Sequence, residues 1–167
     1  ARDAGYTRGA LYHQFANKEE LAIAVVDWIE ETWYAEVGHF VRDTADPLEA
    51  LIAVARGHAI YCRRDIARVM MTLRVEFGEQ DHHPVGRRVK EALERVLDLG
   101  TQVISAARAG GALAAGPPDR VMALAYLGAV EGVVISLAGQ APFDEQLAES
   151  VARGVLGLAP APTKEVS

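Results

Sequence analysis

Near its start the chain reads Ala4-Gly5-Tyr6-Thr7-Arg8-Gly9-Ala10-Leu11-Tyr12-His13-Gln14-Phe15-Ala16-Asn17-Lys18-Glu19-Glu20-Leu21, and this stretch decides the fold. Gly5 allows a tight turn between two helices. Thr7 is an N-cap residue type, so a short helix is predicted from there to about Phe15, with its first backbone N–H groups open to phosphate. Leu11 and Phe15, four apart, share one face and give that helix an apolar back. Arg8, Gly9, Tyr12 and His13 fall on the other faces, and Gly9 and Ala10 are small enough for close approach to a groove. Asn17, with Glu20 three residues on, is a capping-box start for the next helix. Lys18 at its first position is placed for a backbone phosphate. A tight turn followed by a short helix with exposed donors is what helix-turn-helix reading of DNA requires.

The candidate DNA-binding residues are therefore Thr7, Arg8, Gly9, Ala10, Tyr12, His13 and Lys18. Arg8 and His13 can meet a base edge or a phosphate. Tyr12 and Lys18 suit phosphates, which position a protein without specifying sequence. The plainer alternative is a helical hairpin with a basic surface.

Charge supports the first reading once it is divided. The 167 residues carry 17 Lys and Arg against 23 Asp and Glu, a net −6. Residues 1–18 hold Arg2, Arg8 and Lys18 against Asp3 alone, which is +2, and leave 14 basic and 22 acidic side chains, −8, for the rest. A basic end thus sits on an acidic body. With 50% hydrophobic and 24% charged residues the composition is globular, and a disordered chain is excluded. A single Cys excludes an internal disulfide framework and a Cys-based zinc finger. The polar opening Ala1-Arg2-Asp3-Ala4-Gly5 lacks an apolar signal core, so a cytoplasmic location is expected. It also reads like the middle of a helix, as if the chain began inside a domain.

Beyond this end the chain reads all-α. Apolar residues recur at three and four, and breakers punctuate them. The helix from Asn17 carries Leu21, Val25, Trp28 and Thr32 on one stripe and is predicted to end near Gly38-His39. Asp46-Pro47-x-Glu49 is a strong start for a helix to about Cys62. Asp65 is predicted to cap another, through Phe77. A polar loop, Gly78 to Pro84, leads to a long helix over about 85–109, stopped by Gly110-Gly111. Gly116-Pro117-Pro118 opens the next, to about Ala138. Phe143-Asp144 opens a last one bearing Leu147, Val151, Val155 and Leu158. About seven helices joined by short loops result.

Residues 4–21 strongly resemble the tetracycline-repressor (TetR) family of bacterial transcriptional regulators. The resemblance rests on Gly5, Thr7, Gly9, Leu11-Tyr12-His13-Gln14-Phe15 and Asn17-Lys18-Glu19-Glu20-Leu21. It implies an all-α TetR-like fold with a helix-turn-helix at the N-terminus and a helical ligand-binding and dimerisation domain behind it. In that family two helices precede this point. Here the first is absent and Ala1 to Ala4 read as the end of the second. The expected domains are 1–38 (partial helix-turn-helix with connecting helix), 39–159 (effector binding and dimerisation) and 160–167 (flexible tail). The implied function is a repressor, released from a palindromic double-stranded DNA operator by a small-molecule effector of apolar or amphipathic character.

The family also implies an effector pocket among the middle helices. Polar or soft side chains within their apolar faces are His58, Tyr61, Cys62, Met70, Met71, Arg74, Phe77, Gln102, Tyr126 and Glu131. Of these, His58, Cys62, Met70, Arg74, Phe77, Tyr126 and Glu131 are the candidate lining, since pockets are mostly apolar with a few convergent polar groups. Each also has an ordinary reading as core. Tyr126 can satisfy its hydroxyl internally, Glu131 can pair with an Arg, and Cys62 beside Arg63-Arg64 is a structural Cys before it is a redox sensor.

Residues 121–138 are almost all apolar, long enough to raise a membrane reading. Glu131 inside the stretch and the lack of a cationic flank oppose it, and no membrane partner is expected. Gly128, Gly132 and Ser136 repeat at four, which lets a second helix approach closely. Self-association through this helix and the last one, with Leu147, Val151 and Val155, accounts for both apolar surfaces. The resemblance implies the same homodimer.

Enzyme readings are weaker. Glu36-Val37-Gly38-His39 and Glu79-Gln80-Asp81-His82 have the Glu-x-x-His spacing of di-iron bundles. The first falls at an expected helix end and the second in a loop. His82-His83 is a poor metal site. No nucleophile elbow or phosphate-cradling Gly loop occurs. No cofactor, metal or catalytic residue is expected. The remaining alternatives are a helical ligand-binding protein without DNA activity and a metal-dependent helical-bundle enzyme.

Overall fold

Asn17 sets the first described helix. The computed structural model describes residues 15–137 and 139–160, so the short helix from Thr7 and the assignments of Thr7, Arg8, Gly9, Ala10, Tyr12 and His13 lie outside the described residues. So does most of the expected tail. Helix α1 spans Lys18–Trp33. Asn17 Oδ1 accepts the Glu20 backbone N–H at 2.8 Å, and Glu20 Oε2 reaches back to the Ala16 N–H at 2.9 Å. The reciprocal cap is made, with its return bond one residue earlier than in the usual box.

Two expectations for α1 are corrected. The buried row is Val26, Ile29 and Trp33, whereas Trp28 is half exposed. Ala22-Val26-Ile29-Trp33 is a second apolar row at helical spacing. It wins because both cores take it: Ala22 and Val26 pack among Met70, Leu73, Phe77 and Leu93 around Val85, Val89 and Ala92, and Trp33 packs in the main core. Nor does the helix stop at Gly38. It passes through a π-helical turn, Tyr34–Gly38, into the short α2, His39–Asp43. Gly38 keeps a right-handed φ of −61°, so it lacks the left-handed geometry that ends helices. It is small for another reason: a Cβ there would lie 2.8 Å from the Tyr34 ring. The expected domain boundary at 38 thus falls inside a continuous helical run.

Helix α3, Pro47–Tyr61, starts as expected, with Asp46 Oδ1 accepting the Leu48 N–H at 2.8 Å. Helix α4, Asp65–Phe77, starts one residue earlier than expected. Arg64 takes the N-cap position without a side-chain cap, and Asp65 is the first helical residue, where its charge suits the helix dipole. Helix α5, Pro84–Ala109, is capped by His83, whose Nδ1 accepts the Val85 N–H at 3.3 Å. Gly111, at φ +73°, ends it. Helices α6, Asp119–Leu137, and α7, Phe143–Val155, complete the chain. No strand occurs among the described residues.

Helix α7 packs against α3 and α6, and α5 crosses α6, α3 and α1. The main core gathers Leu51, Ile104, Tyr126, Val130, Ala148 and their neighbours. The smaller cluster of α1, α4 and α5 is separate from it. A cavity lies where the two meet.

Candidate functional site

Five helices leave a cavity of about 110 Å³ between them. Helix α1 contributes Ile29, Glu30 and Trp33; α3 contributes Val54, His58 and Tyr61; α4 contributes Met70, Met71 and Arg74; α6 contributes Tyr126, Val130 and Glu131. Helix α5 closes one side with Ala92, Leu93 and Val96. Most of this wall is apolar, so a ligand held here loses little by bringing an apolar body.

The polar groups of the wall form one connected line. Trp33 Nε1 donates to His58 Nδ1 at 2.9 Å. His58 Nε2 faces Glu131 Oε1 at 3.3 Å, and Glu131 Oε2 faces Arg74 Nη1 at 3.3 Å. The Cys62 Sγ lies 3.5 Å from His58 Nε2. Indole is a donor only, so the Trp33 bond requires the Nδ1 lone pair and places the imidazole proton on Nε2, toward Glu131. Opposing forces meet on this ring. Burial and the indole disfavour the imidazolium, while the Cys62 and Glu131 groups raise the His58 pKa above its ordinary value. Glu131 itself is burdened by burial, yet His58 and Arg74 hold its carboxyl below the usual range. Thiol and carboxylate both address Nε2, so this is no Cys-His-Glu relay, in which the base is oriented through its other nitrogen.

Other wall groups are satisfied elsewhere. Tyr126 donates to the Leu51 carbonyl at 2.6 Å, and burial pushes its phenol pKa up. Tyr61 donates to the Ile29 carbonyl at 3.2 Å and meets Thr32 Oγ1 at 2.8 Å. Glu30 is clamped from α5 by Arg88 and Arg95, which hold its carboxyl below the usual range. These bonds tie α1 to the body on both sides of the cavity.

The same α1 begins with exposed Lys18 and is docked near its start by Glu19 to His83, 3.4 Å apart. Residues 1–25, which run through Lys18 into α1, match the family described as "Bacterial regulatory proteins, tetR family". That segment is thus similar to tetR-family regulators. Among solved structures, the chain is similar to AibR, seen in a crystal structure in complex with isovaleryl coenzyme A and operator DNA. The two are 22% identical, with a TM-score of 0.69 over 92% of this chain and 82% of that one. The likeness shows the fold. No curated protein matches.

Six of the seven candidate lining residues come together: His58, Cys62, Met70, Arg74, Tyr126 and Glu131, with Tyr61 and Met71 beside them. Phe77 does not reach the cavity. It stacks on His83 at 4.6 Å in the smaller core. Gln102 is exposed. Trp33 and Glu30 were missed, because the stripe expected for α1 ran one residue to the side of them.

Helix α6 is not buried on all sides within the single chain. Val121, Leu124 and Ile135 are half exposed or more, and beyond Gly128 and Gly132 a Cβ would meet nothing within 4 Å. Ser136 is exposed beside them. From α7, Phe143 and Leu147 are exposed, and Val151 and Val155 are partly covered. Helix α6 is long and apolar enough to cross a membrane by length and composition, but its Glu131 is committed to His58 and Arg74. Of the two Glu-x-x-His pairs, Glu36 is bonded to Arg64 at 2.5 Å and His39 packs on Phe40. Glu79 and His82 are exposed. His83 is spent on its cap. Among the described residues no group of three or more His, Cys, Asp and Glu is placed to hold a metal.

Proposed function

We propose that this protein is a tetR-family regulator: a cytoplasmic, homodimeric DNA-binding repressor that leaves a palindromic operator when an apolar or amphipathic small molecule fills the cavity. One observation carries the reading. Helix α1 completes the family's DNA-binding segment at one end and walls the cavity with Ile29, Glu30 and Trp33 further on. Eleven residues separate Lys18 from Ile29, about 16 Å along an α-helix. A ligand that pushes on Trp33 therefore pushes on the rod that follows the reading head. Release requires the effector to bind the free and operator-bound states unequally, and the opposed demands on His58 give the wall two arrangements to choose between. AibR, of like fold, was crystallised with both an acyl-coenzyme A and operator DNA, which supports the pairing of cavity and operator here.

The bare faces of α6 and α7 support the dimer. A two-fold axis through them sets two reading heads about 34 Å apart, one turn of DNA. Gel retardation of DNA from upstream of the gene tests the whole reading. A shifted band that weakens steeply with salt is expected, and Lys18→Ala is expected to reduce both affinity and salt slope, as loss of one phosphate contact does. Absence of retardation at low salt would leave a ligand-binding protein without DNA activity.

A further inference from the structure

The chemistry of the effector rests on the reading of the cavity as the effector site, and follows from which of its polar groups are already spent. The indole of Trp33 is given to His58, the hydroxyl of Tyr126 to the Leu51 carbonyl, that of Tyr61 to the Ile29 carbonyl, and the carboxylate of Glu30 to Arg88 and Arg95. Cys62 Sγ lies against His58 Nε2. Among the described residues, the buried side-chain polar atoms without a partner belong to His39, Arg88 and Arg108, and none of these three lines the cavity. What remains for a ligand is apolar surface, from Ile29, Val54, Leu93, Val96, Leu127 and Val130. A dry apolar cavity of roughly 150 Å³ binds benzene. This one is somewhat smaller, at about 110 Å³, and Met70 and Met71 give it soft side chains that adapt to a guest. Its guest is therefore of about single-ring size.

Glu131 has a particular part in this. Its two oxygens are divided between donors from two other helices: Oε1 faces His58 Nε2 of α3 at 3.3 Å, and Oε2 faces Arg74 Nη1 of α4 at 3.3 Å. Two convergent N–H donors, one of them on a guanidinium, are what an acid needs in order to bind in an apolar chamber. Here the chain fills that place with a carboxylate of its own. Burial opposes the charge, yet His58 and Arg74 hold the Glu131 carboxyl below the usual range, so it stays ionised at neutral pH. A ligand carboxylate arriving there meets a like charge, finds both donors taken, and gives up its water without replacement. A ligand amine finds the carboxylate already paired and Arg74 beside it as a like charge. An uncharged apolar molecule meets neither cost. We infer that the cavity selects an uncharged apolar molecule of about single-ring size, and that Glu131 shuts out acids by occupying the place between His58 and Arg74 that a ligand carboxylate would take. Such selectivity works by penalising the wrong ligand.

Three molecules that share one ring and one attached carbon test this on the purified protein without DNA: toluene, benzoate and benzylamine. Titration calorimetry at pH 7 is expected to show toluene binding about tenfold or more tighter than either charged analogue, the discrimination expected when a buried charge finds no partner. Glu131→Gln takes the carboxylate away from both donors. It is expected to raise benzoate affinity by about tenfold or more while toluene changes little. Arg74→Met leaves the Glu131 carboxylate with one partner fewer and is expected to favour benzylamine instead. A merely structural role for Glu131 would weaken all three ligands alike. The two variants predict gains for ligands of opposite sign, so if one does not fold the other still decides. Parent protein that binds benzoate or benzylamine as tightly as toluene, no binding of toluene up to its solubility limit, or no gain of benzoate in folded Glu131→Gln each overturns the inference. None of these measurements involves the operator, so the repressor reading stands or falls separately on gel retardation.

Discussion

Asp144 shows what one residue contributes. Its side chain is buried and receives both Arg63 Nε at 3.0 Å and Nη2 at 2.8 Å, while its Oδ1 also accepts the Glu145 N–H. The bidentate Arg63 bonds hold its carboxyl below the ordinary range against the opposing effect of burial. Because the folded pKa is depressed, the contribution is complete above the unfolded value of about 3.9 and is lost as pH falls through the folded one. Asp144→Asn is expected to cost about 2 kcal/mol at pH 7, a drop in Tm of about 4–8 °C for a chain of this size. The difference should shrink as the unmodified protein is acidified below about pH 4, where Asp144 of the unfolded chain takes up a proton that the folded state still refuses. Thermal melts over a pH series check both. In the sequence Asp144 looked only like a helix-starting residue. Its partner is 81 positions away, and pairing at that separation leaves no local pattern to read. His58 was recognised as a polar group on an apolar face, but its bond to Trp33 depends on the rotation of α1, which two competing apolar rows left open.

At the scale of the element, starts were legible and phases were not. Asn17 and Asp46 cap α1 and α3 as their sequences say, since a cap is a contact over three residues. The rotation of α1 and its passage through Gly38 were set by what α4 and α5 offer across the gap, which no window of α1 contains. Two glycines record such crossings. At Gly86 a Cβ would sit 2.4 Å from the Gln80 carbonyl oxygen and 2.6 Å from that of Phe77, so the turn after α4 lies directly on the first turn of α5. At Gly57 a Cβ would meet the Phe40 ring at 2.6 Å. Backbone carbonyls cannot step aside as a ring can. Gly86→Ala is therefore expected to cost about 3 kcal/mol and Gly57→Ala about 1 kcal/mol, an order that denaturant titration of the two variants would reveal.

For the whole molecule the fold class, the order of helices and the basic end were all present in the sequence, because periodicity and breakers are local and the DNA-reading motif is short. The cavity was foreseen as a region, and most of its polar lining with it, since polar residues within apolar stripes mark themselves. Its size and the line from Trp33 to Arg74 arise only when five helices converge. The outer face of α6 belongs to this scale too. Gly132→Leu leaves the single chain unhindered, because open space lies beyond that glycine, but puts a bulky side chain into the proposed two-fold contact. Sedimentation is expected to show a dimer for the parent protein and a monomer for the variant, with the helical signal unchanged. A dimer of the same mass and stability in both would place the two-fold contact elsewhere.

The π-helical turn at Tyr34–Gly38 has a consequence for how such a protein can change over generations. Where an α-helix advances 3.6 residues per turn, a π turn accommodates one more than its neighbours, so the chain carries a spare residue between the body and α1. Loss of a single codon within 34–38 would let this turn close to ordinary α-helical length with the facing of α1 kept. Loss of one residue from the regular helix of α2 would instead turn everything upstream by about 100° and draw it in by about 1.5 Å, swinging Trp33 away from His58. The π turn thus works like slack in a ratchet: it is the place in this helical run where a change of one residue in length can be absorbed without resetting the azimuth of α1 on the body.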